Sequence, residues 1–347
     1  MRVLMLAPSY YPRSGGVETH VRRVARELQR GGLEVQLATP RWDSAWAPEE
    51  TVDGLPVTRL SLEGRDGRRA LAPLVHWAEV VHTHDAYPFL KYYLPFRFRY
   101  PGKPAYVTFH GYEGYPIPLE ARLLRRVVRV LTRGSLCAGA FIPKWYHFRC
   151  ARITHGGVDT PSERPPLGEG ALFIGRLEPD TGLMSTVEAL RLLKAQHGLE
   201  LPLQVCGDGS QRAAAAAGAA SAGLAVTFHG QVADVSPYLQ QARFAFVSGF
   251  LGMLEAMALG RAVLAVYDNP LKEDYLRLFP GAQHVAIAGS PEELAGQLAA
   301  LLADPEGLAG RLEQAYRFAQ TQTWARVADL YRSLYASAGR AEEPSSS

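Results

Sequence analysis

The stretch Phe246-Val247-Ser248-Gly249-Phe250-Leu251-Gly252-Met253-Leu254-Glu255-Ala256-Met257-Ala258-Leu259-Gly260, followed by Ala262-Val263-Leu264-Ala265-Val266, restricts the fold more than any other part of the chain. An apolar run from Phe244 to Val247 reads as a buried strand. A glycine-bearing turn follows, then a short helical pattern starting near Gly252, then a second apolar strand. Strand, glycine turn and helix N-terminus together present free backbone N–H groups to an anion. Glu255 falls in the first turn or two of that helix, where a carboxylate can accept from the hydroxyls of a ligand. Gly260 stops the helix as a C′ glycine does. Locally, one more strand–helix turn of any α/β sheet would look the same.

The beginning of the chain repeats the theme. Arg2 to Ala7 reads as a first strand, and the loop from Pro8 to Glu18 turns at Gly15-Gly16 and opens a helix. Val17, Val21, Val24, Ala25 and Leu28 stand at helical spacing, Gly31-Gly32 ends the run, and Glu34 to Thr39 is a second strand. This strand–helix–strand unit has no Gly-x-Gly-x-x-Gly, so the dehydrogenase fingerprint is absent. Val80-Val81-His82-Thr83-His84-Asp85 and Tyr106-Val107-Thr108-Phe109-His110-Gly111 are strands that end in histidine. In an open parallel sheet the ligand crevice lies at the carboxyl ends of the strands. A histidine is also a common structural hydrogen-bonder, and for His84 both readings stand.

Leu119 to Arg133 is amphipathic in an unusual way. Leu119, Leu123, Leu124, Val127, Val128, Val130 and Leu131 fill one half of the helix, while Arg122, Arg125, Arg126, Arg129 and Arg133 fill the other. One reading is an apolar face packed on the core with a solvated arginine face. The other is an arginine surface that meets an anionic membrane. The halves of the chain differ in charge to match: residues 1–160 carry 23 Lys and Arg against 14 Asp and Glu, the remainder 14 against 20. A basic first half suggests an acidic partner, but no helix-turn-helix, zinc-finger or aromatic RNA-binding signature accompanies it, so nucleic acid is not expected.

After Ile153-Thr154-His155-Gly156-Gly157-Val158-Asp159, a proline- and glycine-bearing segment from Thr160 to Gly170 reads as a linker. Strands follow at Ala171 to Ile174, Leu203 to Cys206 and Ala225 to His229, with a helix from about Leu183 to Ala195 and an alanine-rich one from Arg212 to Leu224. Glycine turns stand at Gly207-Asp208-Gly209-Ser210 and at Gly230-Gln231-Val232. The length of 347 residues suits two domains, and 47% hydrophobic with 20% charged residues is a globular composition. Cys137, Cys150 and Cys206 are an odd number without metal-ligand spacing, which fits a reducing compartment. Met1 to Ala7 is too short for a signal peptide, and no apolar run approaches a membrane span, so a cytoplasmic protein is expected.

Leu-Glu-Ala-Met-Ala-Leu-Gly at 254–260 before a hydrophobic strand resembles the donor-site signature of retaining glycosyltransferases of the GT-B fold, family four (glycosyl transferases group 1). Further words agree: Gly15-Gly16 after the first strand, the His-x-His strand end at His84, His110, Gly157-Val158-Asp159, and Gly175-Arg176. The likeness runs over roughly residues 1 to 335. It implies an α/β chain with two Rossmann-like doubly wound domains facing across a cleft. The expected boundaries are an acceptor-side domain over 1–160, a linker over 161–170 and a nucleotide-sugar-binding domain over 171–320. A helix over 321–338 crosses back to the first domain, and 339–347 is a disordered tail.

The resemblance also implies an activity and its residues. A hexose would pass from a nucleoside-diphosphate sugar to a hydroxyl of a glycan or glycolipid in cell-surface polysaccharide biosynthesis, with retention of anomeric configuration. Arg176 would hold the diphosphate, and Gly252, Met253 and Leu254 would offer backbone N–H groups. Glu255 would bind the ribose, Gln231 and Val232 would face the base, and His110 would contact the transferred sugar. Gly15, Gly16, Gly207, Asp208 and Gly230 complete the donor side; Glu18, His84 and Tyr112 lie on the acceptor side. No metal or other cofactor is implied, since there is no Asp-x-Asp or His/Cys cluster. Peripheral attachment to the inner membrane face would go through the five arginines. Two departures stand out. The family has a Glu eight positions before the second one, where this chain has Val247, and a Lys five after the Arg, where it has Thr181. Glu178 or Asp180 is the substitute expected at the sugar, and a weakened or inactive nucleotide-sugar-binding relative is the alternative.

Overall fold

In a computed structural model of the chain, residues 1–13 and 15–336 are described. The tail expected over 339–347, and the last two positions of the crossing helix, lie outside them. The chain divides into two compact units, one formed by Met1–Gly156 with the segment from Trp324 on, the other by Gly157–Thr323.

The first unit is built on eight strands: β1 (Arg2–Leu6), β2 (Glu34–Pro40), β3 (Glu49–Val52), β4 (Leu55–Leu60), β5 (Val80–His84), β6 (Ala105–Phe109), β7 (Gly134–Ala138) and β8 (Arg152–Thr154). Their order is β3-β4-β2-β1-β5-β6-β7-β8, with β3 antiparallel to β4 and every other pair parallel. Parallel strands covered on both faces read as unbroken buried runs, and all five residues of β5 and of β6 are buried. The helix Gly16–Arg30 buries Val21, Val24, Ala25 and Leu28, as the spacing predicts. Against it packs the helix Trp324–Ala336, which buries Val327, Ala328, Tyr331, Leu334 and Tyr335. The strand order reverses between β1 and β5, so the loops after these strands flank the crevice.

The second unit carries β9 (Ala171–Ile174), β10 (Leu203–Cys206), β11 (Val226–Gly230), β12 (Phe244–Val247), β13 (Ala262–Val266) and β14 (Val285–Ala288). All pairs are parallel in the order β11-β10-β9-β12-β13-β14, which is the strand order of the dinucleotide-binding fold. Here the order reverses between β9 and β12. Phe173, Leu190, Val205, Phe244, Leu264 and Leu298 belong to its core. One glycine is fixed by close approach: a Cβ at Gly207, whose φ is +153°, would lie 1.8 Å from the Gly175 carbonyl oxygen. The loops after β9 and β10 therefore cross at backbone contact. Gly260 has φ +71° just past the helix Phe250–Ala258, the position of a C′ glycine.

The helix Leu119–Leu131 corrects the sequence expectation. Its apolar half does not face the core: Val130 is 81% exposed, Leu119 70% and Leu123 51%, with Leu124 and Val127 also exposed. Arg125, expected on the solvated or lipid-facing arc, is instead buried. Its guanidinium donates to the carbonyls of His110 (3.0 Å) and Gly111 (3.2 Å) and to Glu113 (2.8 Å), and lies 4.2 Å from the Tyr146 ring centroid. Arg126 donates to Tyr146 O and Arg129 to Arg149 O, both at 3.1 Å. The irregular segments at 110–113 and 146–149 leave carbonyls that need donors, and Arg125, Arg126 and Arg129 supply them, with Arg125 alone buried. Periodicity shows which residues share a face, not which face turns in.

Candidate functional site

In the second unit, the loops after β9 and β12 flank the switch point. Arg176 stands just past β9, 69% exposed at its side chain, with Asp180 Oδ2 3.0 Å from its Nη2. Ser248 and Gly249 alone join β12 to the helix Phe250–Ala258. That helix starts two residues before Gly252, so the N–H groups outside its ladder are those of Phe250, Leu251 and Gly252. The Phe250 N–H donates to Tyr275 Oη at 3.2 Å, and that of Met253 is used on Gly249 O at 3.0 Å. Of the three residues expected to offer N–H groups, Gly252 therefore has one available, Leu251 joins it, and Met253 and Leu254 are buried. Glu255 lies half-buried on the next turn.

The glycine turns meet on the other side of β9, at the ends of β10 and β11. Gly207 N–H donates to Gly230 O at 2.7 Å, drawing together the loops after β10 and β11, with Gln231 exposed and Val232 half-buried next to them. Asp208 accepts Leu177 N–H on its carbonyl (2.9 Å) and Arg212 on its carboxylate (3.2 Å). The two departures from the family pattern are filled by packing. Val247 is buried, and a Cβ at Gly252 would sit 2.6 Å from its Cγ1. Thr181 Oγ1 lies 2.7 Å from the carbonyls of both Arg176 and Glu178. Glu178, one substitute expected at the sugar, accepts from Ser210 N (3.1 Å) and Ser210 Oγ (2.7 Å). Those hydrogen bonds hold its carboxyl below the usual range. Asp180, the other, is held on Arg176.

In the first unit the ends of β5 and β6 carry a buried cluster. His84 Nδ1 is 3.0 Å from His110 Nε2. His20, on the helix Gly16–Arg30, is 2.9 Å from Tyr331 Oη, which is 2.9 Å from Thr108 Oγ1, itself 2.8 Å from His82 Nε2. Tyr335 Oη closes the chain on His82 Nδ1 at 2.9 Å. Burial lowers the pKa of every one of these histidines, His20 to about 4 and His82 to about 3, so the rings are neutral at pH 7. Asp85 holds φ at +66° with ψ 171°, a conformation rare outside glycine, while its Oδ1 accepts the His110 N–H at 2.7 Å. Burial raises this carboxyl to about 6 against the pull of Arg125. Gly15 is the extended N-cap of the Gly16–Arg30 helix; a Cβ on it would lie 2.7 Å from Glu18 Oε2. Gly16 is exposed, Glu18 half-buried, and Tyr112 packs edge-on against Phe141.

Comparison with known proteins identifies the family and the fold. Residues 14–160 match the family model "Glycosyltransferase Family 4", and residues 168–304 match "Glycosyl transferases group 1". The chain belongs to the glycosyl transferases of group 1. It is 28% identical over 218 residues (55% of this chain, 56% of the relative) to the GDP-mannose:cellobiosyl-diphosphopolyprenol alpha-mannosyltransferase of Xanthomonas campestris. It is 24% identical over 345 residues, 87% of each chain, to the phosphatidyl-myo-inositol mannosyltransferase of Mycobacterium leprae (strain TN). Among solved structures, HepE from Anabaena in complex with UDP superposes with a TM-score of 0.74 at 15% identity, covering 97% of this chain and 100% of that one. The fold is GT-B.

Three residues of the glycosyltransferase escaped the sequence reading. His20 lies on the apolar stripe of its helix, at the spacing of Val17, Val21 and Val24, and that was its signal. Asp85 was only the last letter of a strand motif. Lys272, on the helix Pro270–Arg277, is 5% exposed, and its Nζ donates to Ser248 O at 2.9 Å. Its signal was positional. Asn269 caps this helix by accepting the Lys272 N–H at 2.9 Å, which makes Lys272 the third residue of the first turn. A cation there opposes the helix dipole. Among the described residues, no group of three or more His, Cys, Asp or Glu side chains could hold a metal ion, and no helix is long and apolar enough to cross a membrane.

Proposed function

We propose that this glycosyltransferase moves a hexose, with retention, from a nucleoside-diphosphate sugar to a hydroxyl of a glycan or lipid-linked acceptor. The observation that carries the reading is the grouping of Arg176, the helix start at Phe250–Gly252 and Glu255 at the β9/β12 switch point. The leaving group is a diphosphate, so stabilising the charge that builds on it is the main catalytic task. A guanidinium and helix-end N–H groups suit that task. Glu255 would take the ribose hydroxyls and Gln231-Val232 the base. The acceptor hydroxyl enters on the face the diphosphate leaves and gives its proton to a phosphate oxygen. The anomeric bond is thus replaced on the same side without the paired carboxylates of a glycosidase. His110, neutral, would hydrogen-bond the sugar. Arg176 needs no metal to meet the diphosphate, and turnover is expected to survive EDTA.

The relatives named above act on GDP-mannose with a diphosphopolyprenol glycan and on phosphatidyl-myo-inositol, and the solved neighbour holds UDP. They support a nucleotide-sugar donor and a lipid-linked acceptor while differing in base. The test is a thermal-shift panel of GDP-, UDP-, ADP- and dTDP-sugars on the wild type and on Glu255→Ala. One base should stabilise by about 2–3 kcal/mol at a hundredfold excess over its Kd, and the variant should lose that shift. A panel with no shift at all would sink the reading. A shift without turnover would favour a weakened relative, consistent with the packed-in Val247 and Thr181. NMR of the product then reads the anomeric configuration.

A lipid-linked acceptor suggests an enzyme working at the inner membrane face, and the exposed apolar face of the Leu119–Leu131 helix suits that place. Residues 86–158 carry twelve Lys and Arg against two Asp and Glu. The exposed Arg126 and Arg133 border that face. An interfacial helix inserts its apolar side and sets cations at the phosphates. The occupant is an anionic bilayer. Wild type should sediment with phosphatidylglycerol vesicles, and Leu123→Glu/Val127→Glu should not. A variant that sediments unchanged, or a wild type that forms dimers through this face and ignores vesicles, rules the membrane out.

A further inference from the structure

The Ser248–Gly249 turn is held from the neighbouring strand's loop. Lys272 Nζ grips the Ser248 carbonyl at 2.9 Å, Tyr275 Oη accepts the Phe250 N–H at 3.2 Å, and the Tyr275 ring stacks on Phe250 at 4.0 Å between centroids. The two anchors stand one helical turn apart on the Pro270–Arg277 helix and meet the turn on either side of Gly249. Lys272 does more than this role requires. An ammonium carries three donors, and the structure gives one of them to Ser248 O, with the Tyr275 ring centroid 4.4 Å away. A buried cation is costly unless paired with an anion, yet no carboxylate lies within ion-pair distance of Lys272 among the described residues. Its place in the first turn of its own helix adds to that cost. Asp180 and Asp268 act on it from a distance, and Arg176 opposes them. Burial outweighs these and lowers the ammonium from its ordinary 10.5 to about 8.

Such a group, at the carboxyl end of the sheet beside the β9/β12 switch point, is placed to meet an anion. We propose that Lys272 supplies the diphosphate-binding cation that Thr181 does not, reaching the donor phosphates from the loop after β13 instead of the loop after β9. Thr181 has turned its hydroxyl onto the carbonyls of its own loop, and the side of the diphosphate it would have served passes to Lys272, opposite Arg176. The proposal rests on the nucleotide-sugar reading of this site. It also gives the Ser248 contact a second use: the same ammonium fixes the turn whose N–H groups meet the phosphates. Because an anion raises the affinity of a nearby amine for its proton, diphosphate binding should pull a proton onto Lys272 when the solution is slightly more alkaline than its free value.

Calorimetry of wild type, Lys272→Met and Lys272→Gln tests this, with UDP and GDP as probes and uridine and guanosine as phosphate-free controls. At about pH 8.5, wild type should bind one nucleoside diphosphate with uptake of a proton, read from the dependence of the enthalpy on buffer ionisation. Both variants should bind that diphosphate about tenfold or more weakly, as expected on loss of a charge-assisted contact. They should keep wild-type affinity for the nucleoside and lose the proton uptake. Nucleoside affinity falling as far as diphosphate affinity would reduce Lys272 to an anchor of the turn and overturn the proposal. Unchanged diphosphate binding in the variants would overturn it while leaving the donor site in place, whereas a wild type that binds no nucleotide overturns both readings. The variants should fold, since Met fills the buried space without a charge, and the wild-type proton uptake is read without any variant.

Discussion

Both units gather polar side chains at the carboxyl ends of their strands, beside the point where strand order reverses, yet they treat them in opposite ways. In the first unit His20, His82, His84 and His110 are buried, neutral and bonded to each other or to Tyr331, Tyr335 and Thr108. In the second unit the groups keep their charge: Arg176 is exposed, Glu178 is held ionised by Ser210, and Lys272 is a buried ammonium without a carboxylate beside it. The difference is one of chemistry. Neutral imidazoles can orient hydroxyls by hydrogen bonding without attracting a second anion. Cations placed around helix-end N–H groups suit a diphosphate whose charge grows as the bond to the sugar breaks. Under the proposed function, one unit would position and the other would neutralise.

The sharpest way to separate them is acid. His20 and His82 have folded values of about 4 and about 3 against an ordinary 6.5, and His155 is also lowered to about 4. A histidine held neutral contributes stability that is complete above about pH 6.5 and is lost as pH falls toward the folded value, because the unfolded chain takes up the protons first. Asp85, raised from 3.8 to about 6, works the other way below pH 6 and offsets about one histidine. The net expectation is that the first unit unfolds between about pH 6 and pH 4, while the second, in which no histidine is buried among the described residues, persists. All five tryptophans, Trp42, Trp46, Trp77, Trp145 and Trp324, belong to the first unit, so their emission follows it alone. Trp324 lies 5.6 Å from His20, centroid to centroid, and should respond early. Emission that stays native to pH 4 would mean the cluster is hydrated and its histidines ordinary.

How much of this was legible in the sequence depended on whether local pattern decides the outcome. The strand–turn–helix at Phe244 to Gly260 was readable because apolar runs and a C′ glycine act within a few residues of themselves. The helix start was misplaced by two residues because Phe250 and Leu251 look like strand or helix equally well, and Tyr275 Oη, twenty-five positions away, caps the N–H that settles it. The Leu119–Leu131 helix showed its two faces in the sequence but not their direction. Arg125 turns inward for carbonyls at His110 and Gly111, and no periodicity contains that demand. His110 could be named from strand-end position together with the family resemblance and Arg176 from the resemblance, whereas the network through Tyr331 joins residues more than three hundred positions apart. The absence of a lysine at Thr181 was visible as a gap. Its proposed replacement at Lys272 was not, since only the fold brings the loop after β13 beside the turn after β12.

The smallest expected change in stability comes from the second unit and completes the contrast. Arg176 is 69% exposed and its bond to Asp180 is an i,i+4 surface pair, a kind of contact usually worth about 0–1 kcal/mol. Arg176→Gln should therefore leave the unfolding free energy within about 0.5 kcal/mol of wild type. Nucleoside-diphosphate affinity should nonetheless fall about tenfold or more, as expected when a charge-assisted bond to phosphate is removed. Thermal unfolding by circular dichroism and calorimetric titration with the nucleotide measure the two quantities on the same sample. Equal losses in both would make Arg176 a structural residue. A large loss of binding alone would set it against Tyr331, whose hydroxyl serves two buried partners and which cannot be changed without cost to its own unit. A side chain kept exposed and weakly paired contributes little to the fold, and that leaves it free to meet a ligand.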